Sequence, residues 1–268
     1  MIREAVVDVL RPYHFRGKLR LLEGVAPSRG ERDADVFGYR MKLDLAEAIQ
    51  RWIWLGAFEP QETALVRSWL KPGMTFVDVG ANVGYFSLLA ASLVGERGRV
   101  YALEPSPYAH ARIAATLRAN RMPQAEAFQM GLSDAPGELT LYLPPAAANF
   151  HSPTMSASSG GEPVSVPVRR LDDVLDEWGV DKVDLVKVDV EGHEPRVFEG
   201  ASRALATGRV RAVLVEFNDF WLRDAGSTPD ALYRTLLDAG FVDTAGPAAF
   251  APDCVVTRFL VHRTAGAA

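Results

Sequence analysis

The sequence predicts an α/β fold: a mostly parallel sheet with helices on both faces, plus an N-terminal extension. Two observations predict it. From Thr75 onward, Val-rich strand-like runs alternate with longer helix-like runs, in the order TFVDVG, YFSLLAASLVG, RVYALEP, PYAHARIAATLRAN. The strand-like runs are continuously apolar instead of half polar, which is the pattern of strands covered on both faces. The chain has 268 residues, of which 48% are hydrophobic and 24% charged, enough apolar material to cover such a sheet.

In chain order, residues 1 to about 35 are rich in Arg and Gly and lack periodicity, so they predict a peripheral segment with at most a short helix. VFGYRMKLDL alternates as one strand or two, and AEAIQRWIWLGAFEPQETALVRSWL predicts two helices broken near Gly56 and Pro60. Residues 1–70 are therefore assigned to an extension packing on the core, and 71–268 to the main domain. AEAFQMGL predicts a third strand, and GELTLYL an antiparallel excursion. From Pro144 to about Pro163 the chain is rich in Pro, Ala, Ser and Gly, which predicts a long loop of the kind used as lids or binding loops. The fold resumes with LDDVLDEWGV as helix, VDLVKVDV as buried strand, EPRVFEGASRALATG as helix and VRAVLVEFN as strand. TPDALYRTLLDAGF predicts a helix ended by Gly240, and VVTRFLVHR a last strand.

Charge and cysteine content narrow the function classes. A net charge of −5 without a basic stripe argues against nucleic-acid and membrane-surface partners. The start MIREAVVDVL lacks a basic segment followed by an apolar one, and no run of about 18 apolar residues occurs, so a cytoplasmic protein is expected. The lone Cys254 excludes an internal disulfide and a multi-cysteine zinc site.

The candidate chemistry starts at FVDVGANVGYF, where a strand turns through glycines into a helix. In an open parallel sheet, ligands sit beyond the carboxyl ends of the strands at such a turn. Asp78, Gly80, Asn82 and Gly84 occupy it, yet no Lys or Arg does. The G-x-G-x-x-G of dinucleotide folds and the Gly-Lys-Ser of phosphate loops are both missing, which disfavours a dehydrogenase. Glu104 ends the second strand, where an acid accepts ribose hydroxyls. An amino-acid end and a ribose end together fit S-adenosylmethionine better than a phosphate-bearing nucleotide. The bland alternative is that these acids cap helices and the glycines serve only the turn.

The stretch FVDVGANVGYFSLLAASLVGERGRVYALEPSPYAHARIAATLRAN resembles the nucleotide-binding half of class I S-adenosylmethionine-dependent methyltransferases. VDLVKVDVEGHEPRVFEGA resembles the hallmark segment of the FkbM-type members, and GYRMKLDL, LGAFEPQET and VLVEFN extend the likeness over about residues 36 to 243. The resemblance implies a Rossmann-like fold with a seven-stranded sheet, and methyl transfer from S-adenosylmethionine, typically to an oxygen of a sugar or secondary metabolite. It implies Asp78, Gly80, Asn82 and Gly84 around the methionine part, Glu104 on the ribose, and Leu132 and Ser133 near the adenine. It matches Lys187, Asp189, Glu191, Gly192 and Glu194 in the hallmark segment, whereas His193 stands at a position whose role does not carry over.

An alcohol acceptor needs a base or a metal to take its proton. Asp189, Glu191 and His193, at the end of the fourth strand, are the candidate catalytic residues, with Asp189 also beside the cofactor. Two carboxylates without a clear third ligand do not define a magnesium or calcium site, so a divalent metal stays open as an option but is not predicted. Lys187, inside an apolar strand, is expected to pair with Asp189 or Glu216, and Glu194 to serve the start of a helix. Glu216, Asn218 and His151 are candidate acceptor contacts. Trp52, Trp54 and Phe58 fit either an apolar acceptor pocket or the core. Two other readings stay open: N-methylation of an amide or amine, with a peptide as one such acceptor, and a cofactor-binding module without chemistry.

Overall fold

The computed structural model describes residue 22 and residues 26–143 and 161–266. Strands β1 (Glu31–Val36) and β2 (Tyr39–Asp44) form an antiparallel hairpin. Its alternate residues Ala34, Val36, Met41 and Leu43 are buried, as a period of two requires. Helix α1 (Ala48–Trp54) follows, its first turn capped by the Glu47 carboxylate, which accepts from the Gln50 amide. Helix α2 (Pro60–Trp69) starts on proline, whose missing N–H costs nothing at a first helical position.

The main sheet then begins with β3 (Thr75–Val79), α3 (Tyr85–Val94), β4 (Arg99–Leu103), α4 (Pro107–Ala119) and β5 (Ala125–Phe128). A side sheet comprises β6 (Gly131–Leu132), β7 (Gly137–Leu143) and β8 (Glu162–Arg169). After α5 (Leu171–Glu177) come β9 (Leu185–Val188), α6 (Glu194–Glu199), α7 (Ser202–Ala206), β10 (Ala212–Asn218), α8 (Asp219–Asp224), α9 (Pro229–Asp238), β11 (Phe241–Asp243) and β12 (Val255–His262).

The seven strands lie in the order β11-β12-β10-β9-β3-β4-β5, and only β12 runs antiparallel to its neighbours. From β3 the chain builds outward to β4 and β5, then crosses back to β9 and β10 on the other side. The order therefore reverses between β3 and β9, and a crevice opens there at the carboxyl edge. Alternation along each strand separates two cores. Phe76, Ala102, Leu185 and Leu214 belong to one, with α3, α4 and the extension; Val77, Leu103, Val186 and Val215 belong to the other. No described helix is long and apolar enough to cross a membrane.

Three expectations need correction. AEAFQMGL is two strands, because Gly131 and Leu132 leave the main sheet to pair with Val168 and Arg169 of β8. EPRVFEGASRALATG is two short helices: the Asp172 carboxylate takes the amides of Arg203 and Ala204 and starts a second helix there. The predicted loop ends earlier than Pro163, since β8 pairs with β7 from the Leu143 and Glu162 register onward. Pro163 and Pro167 hid a period-two run whose Val166 and Val168 are buried. The remainder of that loop lies outside the described residues.

Candidate active site

The same alternation that splits the cores assembles the site. Counting two residues on from Phe76, Ala102, Leu185 and Leu214 reaches Asp78, Glu104, Lys187 and Glu216, and two more from Lys187 reaches Asp189. All five thus fall on one face of the sheet at or near its carboxyl edge. They line a cavity of about 550 Å³, with Gly80, Asn82, Leu132, Glu191, His193 and Asn218 also on its wall. An adjoining cavity of about 410 Å³ shares Glu59, Lys187, Asp189 and Glu216 with it.

Asp78 is buried; its Oδ2 accepts from Ser87 Oγ at 2.6 Å, while its Oδ1 has no hydrogen-bond partner. Burial pushes this carboxyl up, and the Lys187 charge opposes the shift. Glu104 accepts the amides of Asn82 and Ser106, one on each oxygen, both at 2.8 Å. Burial raises it to about 7 against those two bonds. Gly80, at φ 77°, lets the turn pass Asp189: a Cβ there would lie 2.0 Å from the Asp189 carbonyl oxygen.

Lys187 pairs with Asp189, Nζ to Oδ2 at 2.9 Å, as its apolar surroundings demanded. Burial works against its charge, but Asp189, Glu59 and Asp78 outweigh that and hold its pKa above the usual lysine value. Glu216 is pushed to about 7 by burial and by Asp189, with Lys187 and a hydrogen bond from Asn218 opposing. Glu194 accepts the amides of Val190 and Gly192, so it fixes the turn after β9. In that turn Glu191 adopts φ 50° and Gly192 φ 99°.

His193 is the N-cap residue of α6, its Nε2 3.0 Å from Ser133 Oγ. Burial lowers its pKa to about 4, with Asp134 raising and Arg196 lowering it further. The imidazole is neutral near pH 7 and a weak proton acceptor. Ser133 itself is buried beside Asp134 and is not on the cavity wall. Gly84 is also off the wall; at φ 86° it starts α3 and packs against Ile113. His151 lies outside the described residues. Among the described residues, no group of three or more His, Cys, Asp or Glu is arranged to hold a metal ion.

The extension adds Ile49, Trp52, Phe58 and Glu59 to the wall, while Trp54 is core. Leu139, Leu141, Val166 and Val168 of the β7–β8 pair close another side, with Trp221 from α8. The hairpin signal was weak because its strands are split by the long Pro-rich run. Glu59 was legible only as a charge beside a helix-starting proline.

A doubly wound sheet whose reversal point carries a glycine turn, and whose next strand ends in a buried acid, defines the Rossmann-like methyltransferase class. Residues 78–242 match the methyltransferase FkbM domain, and the chain belongs to that family. It is 31% identical over 207 residues to the AMB antimetabolite synthetase AmbE of Pseudomonas aeruginosa, covering 64% of this chain and 10% of the synthetase. It is 31% identical over 163 residues to the hexuronic acid methyltransferase AglP of Haloferax volcanii, covering 60% and 61% of the two chains. It is 31% identical over 178 residues to the 31-O-demethyl-FK506 methyltransferase FkbM of Streptomyces tacrolimicus, covering 56% and 67%. The matched part thus spans about a tenth of the synthetase but most of the two smaller relatives.

Proposed function

We propose that this protein transfers a methyl group from S-adenosylmethionine to a hydroxyl of a sugar or secondary metabolite. The observation that carries the reading is the set of carboxyls gathered on one sheet face around a single lysine, in a cavity whose described wall has no arginine. Such a wall repels phosphate and suits an ammonium, a sulfonium and ribose hydroxyls.

The residues fit that cofactor. Asp78 Oδ1, buried and unpartnered, offers an acceptor for the ammonium. Each Glu104 oxygen has one backbone donor and keeps a second lone pair for a ribose hydroxyl. Leu132, Leu141 and Val168 form an apolar wall suited to adenine. When bound, the cofactor supplies a methyl electrophile on a sulfonium. The protein's part is to align the acceptor, exclude water and take a proton.

The proton acceptor is sought at the end of β9, where Asp189 faces the cavity and Glu191 and His193 follow. The His193 hydrogen bond to Ser133 and its low basicity shift the weight to the carboxyls. Glu216 and Asn218, ending β10, are the proposed acceptor contacts. The names of AglP and of the Streptomyces enzyme, one for a sugar acid and one for an oxygen, support a hydroxyl on a small molecule or glycan.

Calorimetry with S-adenosylmethionine and with NAD tests the cofactor; binding of NAD alone overturns the reading. Methyl transfer from labelled cofactor to glucuronic acid and to hydroxylated macrolides then tests the acceptor, and labelling only of amines in a parallel set would make it an N-methyltransferase.

A further inference from the structure

Glu59 is the charged residue that the extension brings to the cavity wall. Its backbone is left-handed, at φ 37° and ψ 61°, a conformation that is strained for a non-glycine residue. It holds the N-cap position of α2, where an acid side chain would ordinarily accept a helix amide, yet its carboxyl makes no cap hydrogen bond. The side chain lies instead on the wall shared by the two cavities, with Lys187, Asp189 and Glu216.

Several neighbouring polar groups are committed. Asp189 holds Lys187, Glu216 is bonded by Asn218, and Asp78 is held by Ser87 through one oxygen, its other being the ammonium acceptor proposed above. Glu104 and Glu194 each take two backbone amides, and His193 faces Ser133. No described residue donates a hydrogen bond to the Glu59 carboxyl. A strained residue whose side chain forgoes its cap, and which stands between two cavities, fits a group kept for the reaction.

Building on the methyl-transfer reading above, we propose that Glu59, in place of the candidates at the end of β9, is the proton acceptor of the reaction and that the sulfonium charge of the cofactor favours its ionised form. In the transfer step the acceptor O–H bond breaks and its proton goes to Glu59. The oxygen bonds the methyl carbon, and the S–C electron pair stays on sulfur. The cavity loses the sulfonium charge as Glu59 loses its negative charge, so the net charge within it is unchanged.

The surroundings set the poise. Burial lifts Glu59 to about 7; Asp189, Glu62 and Glu216 add to the rise, and Lys187 opposes it. Tyr85 of α3 also feels the Glu59 charge, and Arg258 of β12 lines the adjoining cavity while paired with Asp243. A unit positive charge in such a cavity lowers a carboxyl's proton affinity by on the order of tenfold. S-adenosylhomocysteine has the same ammonium, carboxylate and ribose but a neutral sulfur, so it isolates the sulfonium.

The test is calorimetry of both compounds at pH 7 in buffers of different ionisation enthalpy, which counts protons released on binding. The unaltered protein should release about 0.4 more protons with S-adenosylmethionine than with S-adenosylhomocysteine, the amount a tenfold drop from half-protonation gives. Glu59→Gln should still bind S-adenosylmethionine but lose most of that excess, while Glu216→Gln, which removes one of the charges that raise Glu59, should keep the larger part of it. An excess that persists in Glu59→Gln, or vanishes only in Glu216→Gln, overturns the proposal while leaving the cofactor reading intact. Failure of the unaltered protein to bind S-adenosylmethionine overturns both.

Discussion

Asp78 on β3 and Lys187 on β9 stand opposite each other in register on adjacent parallel strands, both buried under the same face of the sheet. Lys187 is the one lysine or arginine on the described wall of the candidate-site cavity, and it reaches Asp189 while its ammonium lies 4.9 Å from the Phe86 ring centre. Its charge is what permits several carboxyls to share this edge.

Lys187→Met should therefore destabilise the protein by about 3–5 kcal/mol at pH 8, the usual cost of stripping the partner from a buried charge. Without the cation, Asp78, Glu59 and Glu216 sit still further above their unfolded pKa values. Groups raised in the folded state favour folding at low pH and lose that contribution as pH rises through about 7, the position of Glu59 and Glu216. The deficit should accordingly be smaller at pH 6 than at pH 8 in urea titrations; an equal deficit would show that the acids are not coupled to Lys187.

Asp78→Asn keeps the shape and one acceptor oxygen while removing the charge. The variant should fold and bind S-adenosylmethionine about 10–100-fold more weakly, the worth of a charge-assisted hydrogen bond. Calorimetry reads it directly, and unchanged affinity would remove Asp78 from the cofactor site.

His193 should stay neutral down to about pH 4 in a heteronuclear NMR titration of its imidazole. Its pKa is depressed from 6.5, so the folded state takes up this proton later than the unfolded chain. Its contribution is fully present above pH 6.5 and lost as pH falls through about 4. In His193→Gln the fall in stability between pH 6.5 and pH 4 should be shallower. A midpoint near 6.5 in the native protein would refute the burial argument and restore His193 as a base.

Gly80→Ala should cost about 3 kcal/mol, because a side chain at φ 77° is strained and its Cβ meets backbone that cannot swing away. Gly179→Ala is the matched control: its φ is 64° but a Cβ there meets nothing within 4 Å. Its cost should stay at roughly 1 kcal/mol, the left-handed penalty alone. Equal losses in denaturant melts would mean that backbone strain, not the approach to Asp189, dominates at Gly80.

The sequence by itself determined the strand and helix alternation from Thr75 onward, the glycine turn, and the acids ending β3, β4, β9 and β10, because continuous Val-rich runs and their terminal charges are local features. It also required a partner for Lys187, since an ammonium in an apolar strand cannot stand alone. Tertiary structure decided which of two acids that partner is, and that β6 and β8 form a separate sheet, because strand pairing joins residues far apart in the chain. It alone brought Glu59 of the extension beside Asp189 and Glu216, and it turned His193 from a residue of ordinary basicity into a half-buried neutral one. The physical reason is common to these cases. Burial and electrostatic neighbourhood depend on which segments meet in space, and neither is written in the spacing of residues along one segment.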